Sequence, residues 1–320
     1  MMKLSILFLL LTVAINVMGQ NESETVQMVI DWQIGDKRLV ETKTSSKFKV
    51  NDSLITSFDV SGSYIIEVLD TTDGYLLSYK QGETDFSMLL EGIPGLADSS
   101  SNMIKQIFTS IIEHMSGAEL LVFVDRNSGL ATDIRNREEV LKSVKDACFV
   151  TIQEIGKSKK NSEEVIEELN SKIDGMVAGM SHKIILTVIN EVNLILQMYA
   201  VEFVVNSTIT HDVLVYDVNA LGPYADAEIP AQLNVQSREN NDFTMHITAE
   251  TFYDQEALNK ILREENPDID ENADLINIEE KEVYKFDLET GWIINYSQYM
   301  RFEMDSTIGE STITTVFTKI

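Results

Sequence analysis

The chain has 320 residues, with 52 acidic against 25 basic side chains and a formal net charge of -27. Nucleic-acid binding needs Lys and Arg clusters to neutralise phosphates, so no nucleic-acid partner is expected. A single cysteine rules out an intramolecular disulfide, and a patterned apolar content of 44% argues against charge-driven disorder.

The first stretch, MMKLSILFLLLTVAINVMGQ, has a short positive region at Lys3, an apolar run from Leu4 to Val17, and small residues at Val17 and Gly19. This is the grammar of a signal peptide over 1–19, which predicts export to the periplasm or beyond and a mature chain from about Gln20. The alternative, a retained anchor, needs about 20 apolar residues to span a bilayer. No cysteine follows the apolar run, so lipid attachment is not expected.

Residues 20–320 read as one α+β domain: strands, then helices, then strands. Strand-like segments fill 24–80, among them SKFKV (46–50), GSYIIEVLD (62–70) and GYLLSYK (74–80), with turn residues between them. A loop carrying GIPG (92–95) precedes a helix over 101–116, whose Met103, Ile107, Ile111 and Met115 share one face. A hairpin is predicted at 118–134. Asn136 and Glu139 then have capping-box spacing at the start of a helix over 136–156. Cys148 lies on its apolar face and is read as a buried hydrophobe.

Further helix is predicted over 162–200, with Met176 and Met180 on one stripe and Met198 near the end. Its stretch HKIILTVINEVNLILQMY is broken by Asn190, Glu191 and Asn193, which favours a buried core helix over a membrane span. Strands resume over 203–320, interrupted by a short amphipathic helix at 254–265. The clearest strand is 292–304, where Gln298 alone breaks an inner row of Trp292, Ile294, Tyr296, Met300, Phe302 and Met304.

Asp-x-x-x-Gly recurs at Asp31/Gly35, Asp70/Gly74, Asp125/Gly129, Asp287/Gly291 and Asp305/Gly309. Random placement of the aspartates and glycines predicts about one such pair. The last four lie between strand-like runs. There the Asp can accept backbone N–H bonds and the Gly can adopt a left-handed conformation, so they read as hairpin corners of a meandering antiparallel sheet. One acid per five residues is too few for the six to eight oxygens of a calcium site.

A calcium loop is better approximated by NPDIDENADLINIEE, where Asp268, Asp270, Asn272, Asp274 and Glu279 take the ligand positions of an EF-hand. Ala273 and Ile276 depart from that pattern, and a solvated acidic linker is the competing reading. His114, His182, His211 and His246 have no metal-ligand spacing; His211 is expected to be a satisfied core residue and His246 exposed. No nucleophile elbow, phosphate loop or dinucleotide fingerprint occurs, so an enzyme is not the expected class.

The leader, the long strands, the helical insert and a terminal F-D-x-x-T-G-W (Phe286, Asp287, Thr290, Gly291, Trp292) resemble uncharacterised exported bacterial proteins grouped as domains of unknown function. The plan is also similar to periplasmic lipoprotein carriers, and that similarity implies a curved open sheet, an open half-barrel, wrapped around helices. The expectation is a non-catalytic binding protein holding an apolar ligand or lipid, or a partner segment, between sheet and helices. Met103, Ile107, Ile111, Met115, Met176, Met180 and Met198 would face it, since methionine lines adaptable apolar cavities. Core filling is the competing role for these methionines. The alternative function is a structural or surface-interaction protein using its acidic face.

Overall fold

The computed structural model describes residues 25–90, 119–159, 195–215, 229–240, 242–265, 276–304 and 307–320, together with Ile185, Ile189, Val192 and Asn193. The strands are β1 (Thr25–Gln27), β2 (Lys37–Val50), β3 (Ser53–Asp70), β4 (Tyr75–Leu90), β5 (Glu119–Val124), β6 (Ala131–Ile134), β7 (Glu202–Val204), β8 (Thr208–Val215), β9 (Ile229–Asn240), β10 (Thr244–Tyr253), β11 (Asn277–Asp287), β12 (Ile293–Met304) and β13 (Thr307–Lys319). Helix α1 is Arg137–Lys159 and α2 is Gln255–Glu265. Among the described residues, eleven strands form one antiparallel sheet in the order β6-β5-β4-β3-β2-β13-β12-β11-β10-β9-β8, and β1 pairs with β7. The sheet is curved and unclosed, so the fold is α+β with the sheet dominant. Within that sheet one neighbouring pair is out of sequence order: β13 lies beside β2 and joins the N-terminal and C-terminal strand sets, while β6 and β8 form the two edges.

Two of the four expected corners are built in full as the spacing predicts. At Asp125, Oδ1 accepts from the backbone N–H of Asn127 (3.0 Å) and Ser128 (2.9 Å), and Gly129 N–H returns to the Asp125 carbonyl (2.9 Å). Asp287 repeats the device with Glu289 N–H (2.9 Å), Thr290 Oγ1 (2.8 Å) and Gly291 N–H (2.8 Å). Gly129 and Gly291 have φ of 69° and 68°, the left-handed region that glycine adopts without a Cβ penalty. The third is built in part: Asp70 Oδ1 accepts from Thr72 N–H (3.0 Å) and Thr72 Oγ1 (2.7 Å), but Gly74 has a φ of 158°, extended rather than left-handed. The fourth corner differs. Gly309 lies inside β13, opposite Phe302, whose ring covers its Cα, and Asp305 is outside the described residues.

Three local expectations are corrected. Asn136 does not cap α1 with its side chain. Its Oδ1 accepts from Leu121 N–H (2.9 Å) and its Nδ2 donates to the Glu119 carbonyl (2.8 Å), tying the helix start to β5. His211 is half-buried near the sheet edge rather than in the core, with a ring nitrogen 2.7 Å from the Glu202 carbonyl. His246 shares the outer parity of β10 but is half-buried between neighbouring strands.

The main core lies on the concave face. Ile185, Ile189, Val192 and Leu196 are helical and buried, and a 3₁₀ turn, Gln197–Ala200, adds the buried Met198 and Tyr199. They pack on Ile66, Leu77, Trp292 and Phe317 and leave a gap of only about 10 Å³, room for one water at most. The interrupting Asn193 is a tether: its Oδ1 accepts from Ala131 N–H (2.7 Å) and its Nδ2 donates to the Ala131 carbonyl (3.0 Å). Trp32 stacks on Trp292 at 4.5 Å, and the buried guanidinium of Arg38 lies 4.5 Å from the Trp292 ring on another side of this cluster. No helix among the described residues is long and apolar enough to cross a membrane.

Candidate functional site

Strand register sorts the inward side chains into rows running across the sheet. One row holds Thr42, Thr315, Tyr296 and Tyr284; the next Val60, Thr44, Ile313, Gln298 and Glu282; the third Phe58, Ser46, Ser311, Met300 and Glu280. Tyr284, Tyr296 and Thr315 of the first row and Glu282 and Gln298 of the second are buried, and Thr42 at the β2 end of the first row is half-buried. Beyond it, Thr44, Ser46, Phe58, Val60, Ser311 and Ile313 are only half-buried, although they lie mid-sheet on the concave side. Hydroxyls bond across the β2/β13 seam, Thr42 Oγ1 to Thr315 Oγ1 (3.3 Å) and Ser46 Oγ to Ser311 Oγ (2.8 Å). Phe58 and Val60 stand on the β3 side of this hydroxyl floor, Met300 and Phe302 on the β12 side.

A carboxylate pair marks the boundary between the sealed and half-open parts. Glu282 is 4% exposed, facing inward with Tyr284 and Phe286 from the same strand. Its Oε1 and Oε2 each accept from Gln197 Nε2 (2.6 Å), and Oε1 also accepts from the Tyr296 hydroxyl (3.0 Å). Gln197 Nε2 also lies 3.2 Å from the Tyr284 hydroxyl. Burial, and then the negative charge of Glu280, push the Glu282 carboxyl up to about 8. Burial, and then Glu282, raise the Tyr284 and Tyr296 phenols beyond their usual range. Glu280, two residues away on the same face, is half-buried and accepts from Gln298 Nε2 (2.7 Å) and the Tyr253 hydroxyl. The residue that breaks the inner row of β12 is thus the partner of an inward glutamate.

This cluster was open to sequence reasoning but absent from it. Ile278, Glu280, Glu282, Tyr284 and Phe286 share one parity, so NIEEKEVYKFD placed two acids among core residues. Gln197 carried no signal, because its partner lies 85 residues away.

Of the residues expected to face a ligand, Met198 is described, and it is fully buried in the sealed core rather than on the half-open face. Met103, Ile107, Ile111, Met115, Met176 and Met180 lie outside the described residues, as do Asp268, Asp270, Asn272 and Asp274. Glu279 is exposed on β11 opposite Arg301, while Ile276 and Ile278 beside it are buried in a satellite core with Tyr253 and Leu258. Among the described residues, no group of three or more His, Cys, Asp or Glu could hold a metal ion. Cys148 is half-buried, and burial pushes its thiol up, away from nucleophilic character.

A second concavity of about 490 Å³ opens at the corner end, beside Asp31, Trp32, Tyr75, Arg126 and Asn127. Several of its polar groups bond within its own wall: Tyr75 donates to the Ile30 carbonyl (2.9 Å), Arg126 to the Thr71 carbonyl (2.5 Å), and Gln33 to Asp31 (2.8 Å). It reads as a braced corner, and the concave face is the better candidate.

No family profile matches the chain, and no curated protein does. Among solved structures, a study of lipid–protein interactions in lipovitellin is similar over 90% of this chain and 25% of that one, at 11% identity and a TM-score of 0.44. This chain therefore spans about a quarter of that protein's length. An outer membrane channel from Pseudomonas putida F1 aligns over 93% of this chain and 99% of its own, at 8% identity and a TM-score of 0.19.

Proposed function

We propose that the protein is an exported, non-catalytic binding protein that seats an apolar or amphipathic ligand on the concave face of its sheet. One observation carries this reading. The sheet is sealed to a gap of about 10 Å³ on one side of the Glu282 row, while mid-sheet inward residues on the other side stay half-buried. An apolar chain laid along Phe58, Val60, Ile313 and Met300 gains about 0.8 kcal/mol per methylene it buries. Ordering the ligand takes back part of that. The test is native mass spectrometry of residues 20–320, exported in a bacterial host and purified without detergent. The expected result is an adduct of defined stoichiometry that is lost when Thr44→Trp fills the floor; no adduct, and no uptake of added alkyl compounds, would reject the reading.

A second reading, surface interaction, is favoured by exposed apolar residues at the corner end. Val29 and Phe243 are 74% and 75% exposed, and Ile34 is 65% exposed. Val29 abuts Gly291, and Phe243 shares a backbone bond with Leu288 in the same turn, so two of the three belong to one neighbourhood.

A further inference from the structure

Among the described residues, the three inward rows carry carboxyl groups and no basic side chain. In β2, Lys43, Lys47 and Lys49 all take the outward parity, and so do Lys281 and Lys285 in β11 and Arg301 in β12. Among the described residues of β2, β3, β11, β12 and β13, the basic side chains of inward parity are Arg38, buried against Trp292 in the sealed part, and its register partner Lys319, exposed at the end of β13 away from the three rows. The inward ionisable carboxyls there are Glu280 and Glu282. Glu282 is closed over by Gln197 and Tyr296, so among the described residues of these strands Glu280 is the charged group that the half-open face presents.

A carboxylate has about four lone-pair sites, and Tyr253 and Gln298 occupy two of those on Glu280. Further along the same row, two and three strands from Glu280, the Ser311 and Ser46 hydroxyls bond to each other and retain lone pairs of their own. A head group brought to this row therefore meets acceptors and a negative charge, and the described residues of these strands place no cation in the row to balance a second one. Placing an anionic head there would set like charges together in a partly desolvated site, which costs much more than in water.

Resting on the reading of the concave face given above, we infer that the ligand has no negative charge and an O–H or N–H donor head, which bonds to Glu280. Alcohol and ammonium amphiphiles share this chemistry, while fatty-acid and phosphate-headed amphiphiles are discriminated against.

The experiment compares dodecanol, dodecylamine and dodecanoate, each titrated below its micellar concentration into delipidated residues 20–320 at constant salt. Binding is read by displacement of a neutral fluorescent alkyl probe. Dodecanol and dodecylamine are expected to bind at least about tenfold more tightly than dodecanoate. Glu280→Lys should reverse the order of amine and carboxylate. Glu280→Gln removes the charge, keeps one acceptor oxygen for Gln298 and turns the Tyr253 hydroxyl from donor to acceptor; it should remove the discrimination while leaving dodecanol binding in place, and it covers the case in which the lysine variant fails to fold. Equal binding of all three, or tightest binding of dodecanoate, would overturn this inference and leave the concave face as the binding site. Failure of all three, and of the probe, would instead overturn the concave-face reading itself.

Discussion

A carboxyl group folded into an apolar interior holds its proton more tightly than the same group in the unfolded chain. For Glu282 the two values are about 8 folded and 4.5 unfolded. Between them the folded protein keeps a proton that the unfolded chain has released. Stability contributed by this group is therefore full below pH 4.5 and lost as pH rises to about 8. The slope reaches at most about 1.4 kcal/mol per pH unit. Urea unfolding at pH 5 and pH 8 should show this loss in the wild type and not in Glu282→Gln; an unchanged slope in the variant would assign the pH dependence elsewhere. Gly291 gives a second prediction at this scale. With φ of 68° and the Val29 carbonyl oxygen 2.2 Å from where a Cβ would sit, Gly291→Ala should lose at least about 1–3 kcal/mol in urea unfolding. The terminal F-D-x-x-T-G-W is explained by the same contacts: an Asp-anchored turn, a left-handed glycine pressed on Val29, and a tryptophan buried beneath Arg38.

Elements were legible in the sequence where periodicity and turn chemistry agree. The hairpin at 118–134, the helix now bounded as Arg137–Lys159, the helix Gln255–Glu265 and the long strand ending at Met304 all appear where alternation or helical spacing placed them. The failures are cases in which a distant partner overrides a local signal. Asn136 has the spacing of a cap but is engaged by β5, and Gly309 has the spacing of a corner but serves as the floor for the Phe302 ring. A register shift beside Phe286 turns Ile293 into the core and leaves Ile294 half-buried, which a strict period of two could not foresee. Asn193 tests how the helical residues are fixed to the sheet. Asn193→Leu removes both bonds to Ala131 and should cost about 1–3 kcal/mol. Amide exchange at Ala131 should accelerate with it, and unchanged exchange would show that packing alone holds β6.

At the scale of the whole molecule, the antiparallel sheet followed from the hairpin corners and the length of the alternating runs, whereas its curvature was expected from the resemblance to lipoprotein carriers. The site was less legible. Its rows draw single residues from β2, β3, β11, β12 and β13, whose adjacency depends on β13 returning to β2 across the full length of the chain. Methionine content pointed instead to the helices, and the described member, Met198, is sealed in the core. The central claim is that the half-open side of the Glu282 row is a ligand seat. Its most direct test is native mass spectrometry of the wild type beside Thr44→Trp, both purified without detergent and then offered dodecanol. A stoichiometric adduct on the wild type and none on the folded variant is the predicted result. Equal adducts on both would place the ligand elsewhere, and no adduct on either would leave the concave face without a ligand.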